Sequence, residues 1–236
     1  MTQILNRWNG NVIVEGEMNL RELVLHAVNT GVSLNYASLD RASLDDASLD
    51  GASLDYASLN YASLDYASLN RASLNGASLN RASLNDASMD GASLDGASLD
   101  YASLNYASLD YASLNRASLN RASLNGASLN GASLDYASLN YASLNGASLD
   151  GASLDYASLN RASLDGASLN GASLDYSAWP LWCGSLTARV DNRIAAQLLF
   201  HAFAVARINP TEEQLTFIRN FYRFDECGGV ERLVTK

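Results

Sequence analysis

The chain has 236 residues and a formal net charge of -10, enough length for one large domain or two small ones. Hydrophobic residues at 48% exclude a disordered chain, and the acidic balance excludes the basic footprint of a nucleic-acid-binding domain. No apolar run approaches the ~20 residues of a membrane span, and residues 1–17 are polar and broken by Asn and Gly, unlike a secretory leader, so a cytoplasmic location is expected.

Residues 1–31 predict a small cap. Ile4 to Trp8 and Asn11 to Glu15 flank Asn9-Gly10, a two-residue hairpin signal. Asn19 with Glu22 marks a helix start. Leu20, Leu23, Val24, Ala27 and Val28 give that helix an apolar face, and Gly31 stops it.

Residues 32–176 are 29 pentads reading Ala-Ser-Leu-(Asp or Asn)-X, with Val32 for the first Ala and Met89 for one Leu; X is Tyr, Gly, Arg or Asp. A helix turns each successive Leu by about 140°, so no single face buries them. A continuous strand throws them to alternate faces. A chain that bends once per pentad returns every Leu inside. Ala is small enough to sit inward beside it, while Ser, Asp or Asn, and X point out. Asp, Asn, Ser and Gly are expected to supply the bends. The coils then stack at about 4.8 Å with backbone pairing between them.

The number of sides is testable in the sequence. With four sides, residues 20 apart stack. Arg41, Tyr61, Arg81, Tyr101, Arg121, Tyr141 and Arg161 then form one alternating row, and no two X-position Arg residues stand 20 apart. Stacked Arg residues would repel, while Arg over Tyr gains about 0.5–1 kcal/mol. Asp46, Tyr66, Asp86 and Tyr106 begin a second alternating row. Four sides give just over seven coils. Asn85, Asn105, Asn125, Asn145 and Asn120, Asn140, Asn160 predict stacked amide ladders.

These pentads resemble the pentapeptide-repeat family. The resemblance implies an all-β solenoid, a right-handed quadrilateral parallel β-helix. One departure runs throughout: the family has Asp or Asn before the central Leu and Ser, Thr or Arg after it, whereas Ala37-Ser38-Leu39-Asp40 has the two polar positions exchanged. The uniformity of the pentads reads as a synthetic consensus solenoid with natural-like caps.

Residues 177–236 predict the second cap. Trp179-Pro180-Leu181-Trp182 is expected to plug the last coil. A helix is expected over 188–207, apolar at Ile194, Ala195, Leu198, Leu199, Ala202, Phe203 and Ala206. Asn209-Pro210 with Glu212 is expected to start another, with Pro at the first position. It carries Leu215, Ile218, Phe221 and Tyr222, and Gly228-Gly229 ends it.

No catalytic, cofactor-binding or metal residue is expected. His26 and His201 fall on helices of opposite caps. Cys183 and Cys227 lack nearby His partners for zinc. Asp135, Asp155 and Asp175 stack, but calcium needs six to eight converging oxygens. No base activates the Ser column. Tyr rows suit base stacking, yet such platforms are basic. The expected function is a structural scaffold without enzymatic or ligand-binding activity. The alternative, implied by the resemblance, is an acidic DNA mimic that occupies a type II topoisomerase. At about 35 Å for seven coils the charge is one per ~3.5 Å, half the density of duplex DNA at one per ~1.7 Å. No nucleic-acid or membrane partner is expected. A weak homodimer through the C-terminal cap is the remaining partner reading.

Overall fold

The computed structural model describes residues 1–178, 188, 190, 192, 195, 196, 199 and 211–221. It divides into two units, Met1–Ala188 and Arg189–Lys236.

The first unit opens with a two-stranded antiparallel hairpin, β1 (Thr2–Leu5) and β2 (Val12–Gly16), with a bulge between Ile4 and Leu5. The strands are shifted from the expected spans, and the connection is longer than Asn9-Gly10. Asn6 explains both. Its side chain accepts from the N–H groups of Trp8 (2.9 Å) and Asn9 (3.2 Å), which fixes a wider turn. The chain around it also leaves the hairpin for the first coil: Ser38 N donates to Leu5 O at 2.8 Å, Arg7 N donates to Tyr36 O at 2.7 Å, and Asn6 bridges Ala37 antiparallel. An exposed first edge would otherwise invite pairing with another chain.

Helix α1 (Leu20–Asn29) has the expected capping box: Glu22 N donates to Asn19 Oδ1 (2.9 Å) and Asn19 N to Glu22 Oε2 (3.0 Å). It buries Leu23, Val24 and Ala27. Gly31 ends it at φ 71°, a left-handed conformation that glycine adopts without Cβ penalty. His26 lies exposed on this helix.

The repeats then wind with a period of twenty residues. Each Ser forms a parallel bridge with the Ser twenty residues on, from Ser38 with Ser58 to Ser153 with Ser173, and Ser158 pairs with Ala178. Four pentads therefore close each coil. The Leu side chains, Met89 and the Ala side chains are buried, none more than 4% exposed. Burial of each Leu is worth roughly 1.5–3 kcal/mol.

One pentad accounts for all its amide hydrogens. Ala102 N donates back to Leu99 O (3.0 Å), closing the turn. Ser103 N donates to Ala82 O of the preceding coil (2.9 Å), and Leu104 N to Ser123 O of the following coil (2.7 Å). Tyr106 N donates forward to Asn125 O (3.0 Å). Asn105 N finds no backbone carbonyl; it donates to the side-chain oxygen of Asn85 at 3.2 Å. An unpaired N–H away from water is costly, so the position after Leu must carry a carbonyl or carboxylate at that reach. Only Asp and Asn appear there.

The bend differs from expectation. The left-handed residue is X in every pentad, with φ of 57–62° at Tyr, Arg and Asp and 63–70° at Gly. For Tyr or Arg this costs roughly 1–2 kcal/mol, so their contacts must compensate. Gly residues serve a further purpose on three corners. A Cβ on Gly126 would stand 2.6 Å from Tyr106 Cε1, because that ring lies over the glycine, whereas a Cβ on Gly146 meets open space. Gly126→Ala is therefore expected to destabilise by about 0.5–1 kcal/mol more than Gly146→Ala. In a Tyr106→Ala background the two should cost the same, as a double-mutant cycle by chemical denaturation will show.

In the second unit, helix α2 (Glu212–Phe221) is present. Thr211 caps it, with Gln214 N donating to Thr211 Oγ1 (3.3 Å) and Thr211 N to Gln214 Oε1 (2.8 Å). The helix thus begins two residues beyond Pro210, which does not occupy its first position. Leu215 is buried, as expected. Residues 192, 195, 196 and 199 are helical within the expected 188–207 span; Ala196 is the buried one, and Leu199 is 36% exposed. Trp179 to Trp182, Cys183, His201, Tyr222, Cys227 and Gly228-Gly229 lie outside the described residues.

Candidate interaction surface

Four faces of the solenoid are built from the same parts and can be told apart by their first serine after the start of regular pairing. Each carries a side-chain ladder. Ser103 Oγ donates to Asn85 Oδ1 at 2.6 Å, and Asn105 Nδ2 donates to Ser103 Oγ at 2.9 Å. The same motif recurs with Asp as acceptor, as from Ser118 to Asp100 (2.6 Å). The exchange of Ser and Asp or Asn about the Leu is thereby accommodated: the two groups meet across coils, eighteen residues apart. The expected amide ladders form in part. Asn105 Nδ2 reaches Asn85 Oδ1 (3.1 Å), Asn125 reaches Asn105 (3.2 Å), and Asn140 reaches Asn120 (3.1 Å). These hydroxyls are consumed as structural donors and accept from neighbouring amides, which leaves them poorly suited to nucleophilic work.

Asp150 illustrates the electrostatics. Its Oδ1 accepts from Ser168 Oγ (2.6 Å) and Asn170 N (2.9 Å). The Ser168 bond holds the carboxyl below its ordinary value; burial opposes it, and the Asn170 bonds add smaller help. A lowered folded-state pKa gives stability that is present above the unfolded value near 3.8 and lost as pH falls through the folded value. Melting temperature is therefore expected to drop on acidification below about pH 4, and less steeply in Asp150→Asn, since Asn keeps the acceptor without the titration.

The corners carry the aromatic and charged rows. On the corner after the Ser38 face, guanidinium carbons stand over tyrosine rings along the whole row: Arg41 and Arg81 flank Tyr61 (5.8 and 5.7 Å), Arg81 and Arg121 flank Tyr101 (5.2 and 5.4 Å), and Arg121 and Arg161 flank Tyr141 (5.3 and 5.4 Å). The alternation expected from the sequence is thus a continuous cation–π stack. Each of those rings has both faces taken, which removes them as stacking platforms for bases. On the corner after the Ser53 face, Tyr136, Tyr156 and Tyr176 stack on one another at 4.8 Å.

Charge is segregated, which the total of -10 concealed. The Ser38 face with its corner holds Arg41, Arg81, Arg121 and Arg161 against Asp40 and Asp100, a formal +2. The Ser43 face carries Asp45, Asp65, Asp165, Asp46 and Asp86, a formal -5. The period of twenty places each residue, so the signal was present in the sequence once rows rather than totals were counted. Among the described residues, no cluster of His, Cys, Asp or Glu is arranged to hold a metal ion, and no helix is long and apolar enough to cross a membrane.

The repeats match the family model described as pentapeptide repeats in eight copies, over residues 30–64, 57–100, 77–114, 97–135, 112–151 and 142–175. No curated protein matches the chain by sequence. Among solved structures the chain is similar to the pentapeptide repeat protein Rfr23 from the cyanobacterium Cyanothece 51142, 32% identical over 40% of this chain and 60% of that one, with a TM-score of 0.35. It thus spans about three fifths of Rfr23. It is similar to HetL, a pentapeptide repeat protein involved in heterocyst differentiation regulation from the cyanobacterium Nostoc sp. strain PCC 7120, 26% identical over 73% and 95% of the two chains, TM-score 0.36. It is also similar to QnrB1, a plasmid-mediated fluoroquinolone resistance protein, 16% identical over 70% and 92%, TM-score 0.46.

Proposed function

Because the chain belongs to the pentapeptide-repeat family, a family of right-handed quadrilateral β-helices whose members are structural or binding proteins, we propose that it serves as a structural scaffold without catalytic or small-molecule activity. One observation carries this reading. The polar side chains that recur in every pentad are engaged coil to coil, so the repeat presents ordered corners rather than a pocket of differentiated groups. A site for acid–base chemistry requires titratable groups held in unlike environments, and the repeated Asp residues share nearly one environment. A single pentad held through the solenoid is what a scaffold built to a consensus requires.

A second reading is an acidic DNA mimic directed at a type II topoisomerase. Its support is the charge of three faces, which together carry a formal -12. Against it stands the Arg–Tyr row, which runs the length of the solenoid and interrupts the acidic surface on one side. A DNA gyrase supercoiling assay, titrated to tens of micromolar at low and physiological salt, separates the two. Unaltered supercoiling is the expected result. Inhibition that persists at physiological salt would instead make the three acidic faces the contact surface.

A further inference from the structure

The Ser43 face is bordered by two rows of unlike charge at matched levels. Arg41 stands on one edge and Asp46 on the other edge of the same coil; Arg81 and Asp86 repeat this two coils on, with Tyr61 and Tyr66 on the coil between. Beyond Tyr101 and Tyr106, the Arg-row edge stays large while the opposite edge becomes Gly126, Gly146 and Gly166. Among the described residues no salt bridge joins a repeat Arg to a repeat Asp, so the two edges of one face do not neutralise each other.

From this we infer that the Ser43 face binds a second copy of this chain, side to side, about a two-fold axis parallel to the solenoid. That symmetry leaves no freedom of register. Rotation by 180° about such an axis keeps every coil at its own height and exchanges the two edges. Arg41 then meets Asp46 of the other copy and Arg81 meets its Asp86, each pair occurring twice because the contact is isologous. The same operation sets Tyr61 against Tyr66 and places the large residues of the upper coils over glycines, where a bulky partner would collide.

The other three faces fail this test. About the Ser38 face the same rotation sets Arg116 against Arg121, a like-charge contact. The Ser48 and Ser53 faces, with both bordering rows, keep an excess of five and three carboxylates. The Ser43 face with both its edges has five carboxylates against four guanidiniums, close to neutral. Two copies of a chain carrying -10 repel at long range, so the near-neutral face is where they approach at least cost. Seven coils of about 4.8 Å and a face some 15 Å wide with its edges give on the order of 500 Å² per partner. That lies below the ~800 Å² of a standard interface, which makes the dimer weak and dependent on its charge pairs.

Sedimentation velocity over a concentration series tests this. The intact chain should show dimer at about 20 mM salt and lose it near 500 mM, where the screening length is only a few ångströms. Arg81→Asp and Asp86→Arg should each be monomeric at low salt. Mixed in equal amounts they should form a heterodimer, since residue 81 of each then faces an opposite charge at residue 86 of the other. The double variant within one chain should dimerise as the parent does. Both residue types already occupy left-handed corners, and unchanged circular dichroism will confirm that the variants fold. A chain monomeric throughout the series overturns the inference. So does a dimer that both single variants retain, which would place the contact elsewhere, as in an end-to-end pairing through the C-terminal cap.

Discussion

Leu104→Asp is expected to unfold the middle coils, with a loss of about 4 kcal/mol or more. The side chain is fully buried in the column that contains Leu84 and Leu124, and its own N–H is committed to Ser123 O at 2.7 Å. A carboxylate placed there has no cation within the Leu and Ala interior. It must either remain charged without a partner or take up a proton far above its ordinary pKa, and both routes destabilise strongly. The effect should be regional. In a solenoid each repeat contacts its neighbours, so stability is nearly a sum over adjacent interfaces. Hydrogen exchange should therefore show lost protection in the coils around Leu104 while the hairpin and α1 stay protected. Unchanged melting and uniform protection would mean that the inside and outside of the coil have been confused.

Asn125→Ala is the second. Asn125 Oδ1 accepts from Ser143 Oγ (2.6 Å) and from the backbone N–H of Asn145 (3.1 Å), and its amide donates to Ser123 Oγ (2.9 Å) and Asn105 Oδ1 (3.2 Å). Truncation removes all four and leaves a backbone donor between coils without an acceptor. A buried donor left unsatisfied costs roughly 1–3 kcal/mol; with partial access to water the expected total is about 2–3 kcal/mol. The informative contrast is Asn125→Asp. It retains the acceptor that Asn145 N requires and should cost less than half as much at neutral pH. Equal losses in the two variants, measured by urea denaturation, would show that the side-chain oxygen does not complete the ladder.

These two sites also mark what was and was not legible in the sequence. That Leu104 faces inward followed from one fact, since a spacing of five fits neither a helix nor a straight strand. The four sides followed from the Arg–Tyr alternation, because stacked like charges would be unfavourable and the row avoids them. The Ser-to-Ser pairing at twenty residues bears this out. The work of Asn125 was hidden. Asp and Asn are strong turn formers, so they were the natural choice for the bend. The structure gives the left-handed corner to X, where Tyr and Arg are intrinsically disfavoured, and assigns Asp or Asn to complete the backbone pairing. Local preference misled here because the decisive interaction is made with a residue twenty positions away. The hairpin is present, but its bounds differ for a similar reason: its β1 strand is shortened by pairing of Leu5 to Arg7 with the first coil, a contact invisible to local turn signals.

The unbroken period of twenty, with Arg and Tyr alternating along one corner, sets a rule for how this protein can change length. Loss or gain of one pentad preserves the Leu columns but carries every later corner residue to the next side, scrambling all four rows. Removal of a whole coil keeps each row on its own corner, yet deleting 61–80 would lower Arg81 directly onto Arg41, two cations at about 5 Å. Removal of two coils restores the alternation. Slippage in the gene is thus tolerated by the core in steps of five residues, by the corners in steps of twenty, and by the Arg–Tyr stack in steps of forty. Viable length variants should differ by the last of these.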